Sequence, residues 1–68
     1  MQEERHPLGA DGYELAVRGE DRRWTWTLIR RERVAARGEE RDRISAWRTG
    51  AFAGEAIAAL ERIGRRSF

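Results

Sequence analysis

The sequence predicts an α+β fold, in which an antiparallel hairpin or a three-stranded meander packs against a C-terminal helix. Apolar and polar residues alternate in two runs, 13–18 and 24–30, which is the period of a half-buried strand. Between residues 52 and 63 the apolar residues recur every three or four positions, which is the period of an amphipathic helix. With 68 residues the chain forms one domain with a thin core, because a chain of this length buries only about 60% of its unfolded surface.

The first eleven residues are polar and contain the only proline of the chain. They follow neither period, so we predict that residues 1–11 are a flexible lead-in and that the single domain spans residues 12–68. The first strand then begins at Tyr13. The segment Gly19–Asp21 supplies the turn that follows it, because glycine accepts a positive φ and aspartate can bond to its own backbone.

The second strand has the strongest local signal in the chain, since aromatic and β-branched residues alternate over seven positions. Trp24, Trp26 and Leu28 share one face, which is expected to meet the apolar face of the first strand. A third strand over residues 33–38 continues this face. Its connection, Arg31–Glu32, lacks the Gly, Asn or Asp that a tight two-residue turn prefers, which leaves its register open.

Residues 39–49 are ambiguous, and we favour a helical turn or the leading part of a helix. The main helix is predicted to begin near Thr49 and to end at Gly64. Its sheet-facing side is predicted from five residues that fall within about 100° of one another on a helical wheel: Phe52, Ala56, Ala59, Leu60 and Ile63. Gly50 and Gly54, four residues apart, indicate close packing of the helix on the sheet.

The charge pattern argues against catalysis. All 14 basic side chains of this arginine-rich chain are arginine, against 12 acidic ones, and the formal net charge is +2. No cysteine is available for a disulfide, a thiolate nucleophile or a zinc site, and a single His6 cannot hold a metal. The carboxylates of Glu39, Glu40 and Asp42 lie among arginines that neutralise them. We expect no catalytic residue, cofactor, metal or small-molecule substrate, and no enzyme.

The segments that direct a chain to a membrane or out of the cell are not recognisable here. The N-terminal residues are acidic where a secretory leader needs basic ones, and no apolar run follows them. No stretch approaches the roughly 20 apolar residues of a membrane span. The expectation is a cytoplasmic protein that does not enter a membrane.

Three tryptophans are many for so small a core. In one interpretation Trp24 and Trp26 roof the core beneath the helix while Trp47 covers its edge. In the other, at least one is exposed at a protein interface or as a stacking platform for nucleic acid. A helix that began near Glu40 would place Ile44 and Trp47 on a second apolar stripe. We take these two residues as the candidate interface of a homodimer or of a complex with another protein, with a sheet edge as the other candidate.

The alternative function is sequence-tolerant nucleic-acid binding through arginines that flank the second strand. This set consists of Arg22, Arg23, Arg30, Arg31 and Arg33. Arginines can contact phosphates, but these lie near opposite ends of the strand, and acidic residues are interleaved with them. A small non-enzymatic interaction module therefore ranks ahead of nucleic-acid binding.

Two short motifs resemble the small uncharacterised YegP-like bacterial domains. They are the Gly12-Tyr13-Glu14 opening and the aromatic-x-aromatic-x-Leu pattern of Trp24–Leu28, and the similarity covers about residues 12 to 63. The resemblance implies a ββ(β)α fold and the pairing of two such units by tandem repeat or dimerisation, and it implies no chemistry. The chain departs from the family in having Arg31–Glu32 in place of an Asn-Gly or Asp-Gly turn, and in the extra polar segment 39–49.

Overall fold

A computed structural model describes residues 2–8 and 12–66 of the chain. Four antiparallel strands form one sheet in the order β1-β2-β3-β4, and one helix covers a single face of it. The elements are β1 (Gln2–Pro7), β2 (Tyr13–Glu20), β3 (Arg23–Arg30), β4 (Arg33–Glu40) and α1 (Arg43–Arg66). The predicted α+β class, a meander packed against a C-terminal helix, is confirmed, and the meander has one strand more than predicted.

The strand alternation separates a helix-covered face from an open face of the sheet. On the covered face, Leu15 and Val17 of β2 and Leu28 of β3 are the largest fully buried side chains. Leu15 lies opposite Leu28 and Val17 lies opposite Trp26, so the two central strands supply most of the core. This is the shared face that the alternation of the two runs predicts.

The N-terminal segment corrects the predicted domain boundary. Residues 1–11 are predicted to be a flexible lead-in, but Gln2–Pro7 forms β1, which pairs with β2 along its whole length. The segment lacks an apolar period because residues 2–6 are all polar or charged, and its order comes from backbone pairing and from ion pairs such as Arg5 with Glu14 at 3.4 Å. Residues 9–11 lie outside the described residues. The domain therefore includes at least residues 2–7.

The turn between β3 and β4 explains why its register is hard to predict. Arg31 and Glu32 both have positive φ, 52° and 64°, as in the type I′ turn for which Asn-Gly is preferred. The ladder also shifts register between Leu28 and Ile29, which leaves Ala35 as an extra residue in β4. The predicted third strand exists, but with a strained turn and a bulge.

Relieving this turn should stabilise the protein. The double substitution Arg31→Asn with Glu32→Gly replaces two side chains that rarely adopt positive φ by the pair that does so readily, and we expect the free energy of unfolding to rise by about 1 kcal/mol. Urea denaturation at fixed protein concentration measures it. Arg22→Gly is the control, because Arg22 is also a turn residue but is not among those with positive φ. An equal gain from Arg22→Gly would contradict the strain argument.

The helix is longer than predicted at both ends. It begins at Arg43 rather than near Thr49, and it continues past Gly64 to Arg66. Asp42 caps it, because its Oδ1 accepts the backbone N–H of Ser45 at 2.7 Å. This N–H also lowers the pKa of the Asp42 carboxyl below its ordinary value. Of the ambiguous segment 39–49, the first two residues belong to β4 and the helix takes the last seven.

The side of α1 that packs on the sheet is opposite to the predicted one. Small residues line the packed side, where Ala46, Gly50, Gly54 and Ala58 are buried. A Cβ added at Gly50 would lie 2.5 Å from Leu15 Cδ1, so the close packing predicted from the two glycines is confirmed. The sheet fills the space between the layers with its own large side chains, so the fully packed positions of the helix hold small residues, while Trp47 and Ile57 pack half-buried against the same core.

Candidate interaction surface on helix α1

The predicted sheet-facing residues form an exposed apolar surface instead. We call the outer stripe the six residues Ile44, Phe52, Ala56, Ala59, Leu60 and Ile63. The four large members are exposed by 62% (Ile44), 73% (Phe52), 67% (Leu60) and 63% (Ile63). Five of its members lie on the side of α1 away from the sheet, and Ile44 lies about 80° around the helix from Phe52, at the N-terminal end. A contiguous apolar surface on a charged domain is typical of an interaction site.

The two predicted interface residues lie in different environments. Ile44 belongs to the N-terminal end of the outer stripe, whereas Trp47 is half-buried against the core. The Trp47 ring lies 5.1 Å from the His6 ring, and its Nε1 donates to Glu4 Oε1 at 3.4 Å. The structure does not bring Ile44 and Trp47 together on one exposed surface.

Contacts with β1 fix the beginning of α1. The Arg43 guanidinium donates to both oxygens of Glu4, from Nε to Oε1 at 2.7 Å and from a terminal nitrogen to Oε2 at 2.9 Å. This two-point bond holds the pKa of the Glu4 carboxyl below its ordinary value. Together with the contact between His6 and Trp47, it ties the first turns of the helix to the edge of the sheet.

A second polar cluster fixes the later part of α1. The Tyr13 hydroxyl donates to Glu61 Oε1, and Arg30 donates to Glu61 Oε2 at 2.5 Å. The Arg30 guanidinium also lies 5.2 Å from the centre of the Tyr13 ring. The hydrogen bond to Glu61, with burial, raises the pKa of Tyr13 above its ordinary value. The helix is thus held near both ends, and the outer stripe is presented on a rigid element.

Two tryptophans belong to the core, as the structural interpretation of the sequence predicts. Trp24 lies over Gly19 of β2, and Trp26 lies over Gly38 of β4. Trp26 is 6% exposed, and its buried Nε1 has no hydrogen-bond partner within the described part of the chain. Trp24 packs half-buried against the same cluster. Neither tryptophan offers an exposed ring for stacking.

The arginines of the predicted nucleic-acid contact do not form one surface. Arg22 and Arg23 lie at the turn between β2 and β3, and Arg31 and Arg33 lie at the opposite end of β3, roughly 25 Å away. Arg30 is engaged with Glu61. Between the two ends, the described strand residues of the open face carry as many arginines (Arg5, Arg18 and Arg37) as glutamates (Glu3, Glu14 and Glu39).

The outer stripe was missed by sequence reasoning although a signal for it was present. Gly50 and Gly54 lie on the side of the helix opposite to Phe52 and Ile63, so the two features cannot both face the sheet. Close packing of the glycines therefore requires the large apolar residues to point outward.

Other kinds of site and comparisons with known proteins add no further assignment. Across residues 2–8 and 12–66, no group of three His, Cys, Asp or Glu side chains could hold a metal ion, and the described helix is not long and apolar enough to cross a membrane. The chain matches no protein-family model, no curated protein and no solved structure. The resemblance to YegP-like domains therefore stays a prediction, and the functional argument starts from the outer stripe.

Proposed function

We propose that the protein is a non-enzymatic interaction module that self-associates through the outer stripe of α1. The observation that carries the proposal is the distribution of large apolar side chains. Among the described residues, five large apolar side chains are exposed, whereas three are fully buried, namely Leu15, Val17 and Leu28. Four of the five exposed residues lie on one helix. Covering each of them contributes about 1.5–3 kcal/mol of hydrophobic stabilisation.

The rigidity of α1 supports the same proposal. Glu4 binds Arg43 at the first turn, and Glu61 binds Tyr13 and Arg30 near the other end. A surface that is already ordered loses little conformational freedom when it binds. The outer stripe is also dispensable for the core, because the sheet packs on the opposite side of the helix.

The sheet edge is the weaker of the two predicted routes to a dimer. The outer strand β4 carries charges along its length, among them Arg37 and Glu39, and a bulge at Ala35 interrupts its ladder. Edge charges and bulges are the features by which proteins prevent strands from pairing with other chains. We therefore assign self-association to the helix.

Nucleic-acid binding ranks second for a similar reason. It needs a continuous basic surface, and the arginine groups at the two ends of β3 are separated by an open face with equal numbers of both charges. No enzymatic activity is proposed.

The proposal is tested by the mass of the particle in solution. We expect size-exclusion chromatography with light scattering at micromolar concentration to give twice the chain mass of 7.9 kDa. Phe52→Ser should weaken the dimer at least about 100-fold, because a large aromatic side chain that is buried by an interface is typical of a hot spot. The fold should survive, since Phe52 is 73% exposed.

The matched control is Val34→Thr, which changes an apolar side chain of similar exposure, 61%, on the other face of the sheet. It should leave the dimer unchanged. The proposal is contradicted if the wild-type protein elutes as a monomer at 100 µM, or if Phe52→Ser leaves the dimer unchanged.

A further inference from the structure

The outer stripe has a symmetric arrangement of side-chain sizes. Phe52, Ala56, Ala59 and Ile63 follow one another at spacings of four, three and four, so the order is large, small, small, large. A two-fold axis perpendicular to the helix, at the level midway between Ala56 and Ala59, places this row against the same row of a second copy. Such self-complementarity is the property that a two-fold contact between identical chains requires.

The two-fold operation sets the large side chains against each other at both ends of the row and the small ones against each other at its centre. Phe52 of one copy meets Ile63 of the second copy, and Ala56 meets Ala59. The small residues at the centre let the two helices approach closely, while the large residues close both ends. The two sheets lie on the outer sides of the helix pair, since each covers the opposite side of its own helix.

Two charges along one edge of the stripe fit the same arrangement. Glu55 and Arg62 are exposed and seven residues apart, so they lie at nearly the same angle about the helix and about 10.5 Å apart along it. At that separation they cannot pair with each other. Within the described residues neither takes part in an ion pair.

In the antiparallel pair, Glu55 of each copy and Arg62 of the second copy are about 3 Å apart when measured along the helix axis. The two-fold places the same edges of the helices side by side, so two reciprocal ion pairs form. In a parallel two-fold pair, the edge with Glu55 and Arg62 would lie against the opposite edge of the second helix, so these charges would stay unpaired. The charges therefore select the antiparallel orientation.

We propose that the outer stripe binds a second copy of this chain, with the two α1 helices antiparallel, Phe52 against Ile63, and Glu55 paired with Arg62 at both ends of the contact. This inference rests on the proposed function and adds the orientation and the residues that select the partner.

Charge reversal tests the arrangement on the full chain. Glu55→Arg and Arg62→Glu each turn two attractive pairs into two repulsive ones, and each should weaken the dimer about tenfold at 50 mM salt. The double variant Glu55→Arg with Arg62→Glu should recover the wild-type dissociation constant. A mixture of the two single variants should form heterodimers in preference to either homodimer. Sedimentation velocity measures all of these, and circular dichroism checks that each variant is folded.

Arg37→Glu is the control, since it makes the same change of charge on the open face of the sheet, and it should alter the dissociation constant less than twofold. Single variants that associate like wild type, or a double variant that stays weak, overturn the antiparallel pairing, while the proposed function stands if Phe52→Ser still dissociates the dimer. A wild-type chain that remains monomeric overturns both and leaves the stripe to a different protein.

Discussion

Replacing Gly50 by valine is expected to detach α1 from the sheet and to lower the free energy of unfolding by about 3 kcal/mol or more. A Cβ at this position would lie 2.5 Å from Leu15 Cδ1 and 3.0 Å from Leu15 Cδ2. Leu15 is fully buried and has no free space into which to move. Since a chain of this size has roughly 3–10 kcal/mol of stability in total, much of the protein should be unfolded at 25 °C.

Gly64→Val is the matched control, because it makes the same substitution on the same helix where a Cβ meets nothing within 4 Å. It should leave the stability within about 1 kcal/mol of wild type, since glycine is itself unfavourable in a helix. Urea denaturation followed by tryptophan fluorescence and circular dichroism compares the two. Equal effects of the two substitutions would show that backbone propensity, rather than the contact with Leu15, decides the outcome.

Removal of residues 1–7 is expected to destroy most of the stability, although the sequence predicts these residues to be part of a flexible lead-in. The deletion removes six paired residues along β2 and the contacts of Glu4 with Arg43 and of His6 with Trp47. It also exposes the edge of β2, which is one of the most apolar strands of the sheet. We expect a poorly folded chain that aggregates, because an exposed apolar edge strand pairs with other chains.

Glu4→Gln separates the contribution of the strand from that of its ion pair. It keeps β1 but weakens the bond to Arg43, and a partly exposed ion pair is expected to contribute little. A thermal melt of the substituted protein should therefore resemble wild type, whereas the truncated chain should lack a cooperative transition. A truncated chain that melts like wild type would restore the prediction that the N-terminal segment lies outside the domain.

The parts of the fold that could be predicted are those whose burial leaves a period in the sequence. Tyr13, Leu15 and Val17 of β2 and the tryptophans of β3 alternate because one side of each strand is buried, and the prediction for these strands is confirmed. Strand β1 left no period because its stabilisation comes from backbone pairing and charged contacts. The Arg31–Glu32 turn gave no signal because its residues are unfavourable for the geometry that they adopt.

The candidate site was harder to predict for a different physical reason. Helical periodicity locates the side of α1 with the largest apolar residues, and it was read as the buried side because burial normally explains such a pattern. Here the sheet supplies the bulk, so small residues on the helix face it and Phe52 and Ile63 point to solvent. Of the outer stripe, only Ile44 was predicted to be exposed.

The division of α1 into a side of small residues and a side of large ones has a consequence for how this protein can change over generations. Residues such as Gly50 are constrained by the sheet, and nearly every replacement there damages folding. Residues such as Phe52 have no role in the core, so under the proposed function their replacement would change the choice of partner while the fold stays intact. Descendants of one such domain could therefore diverge into sets that recognise only their own kind, each with an unaltered scaffold.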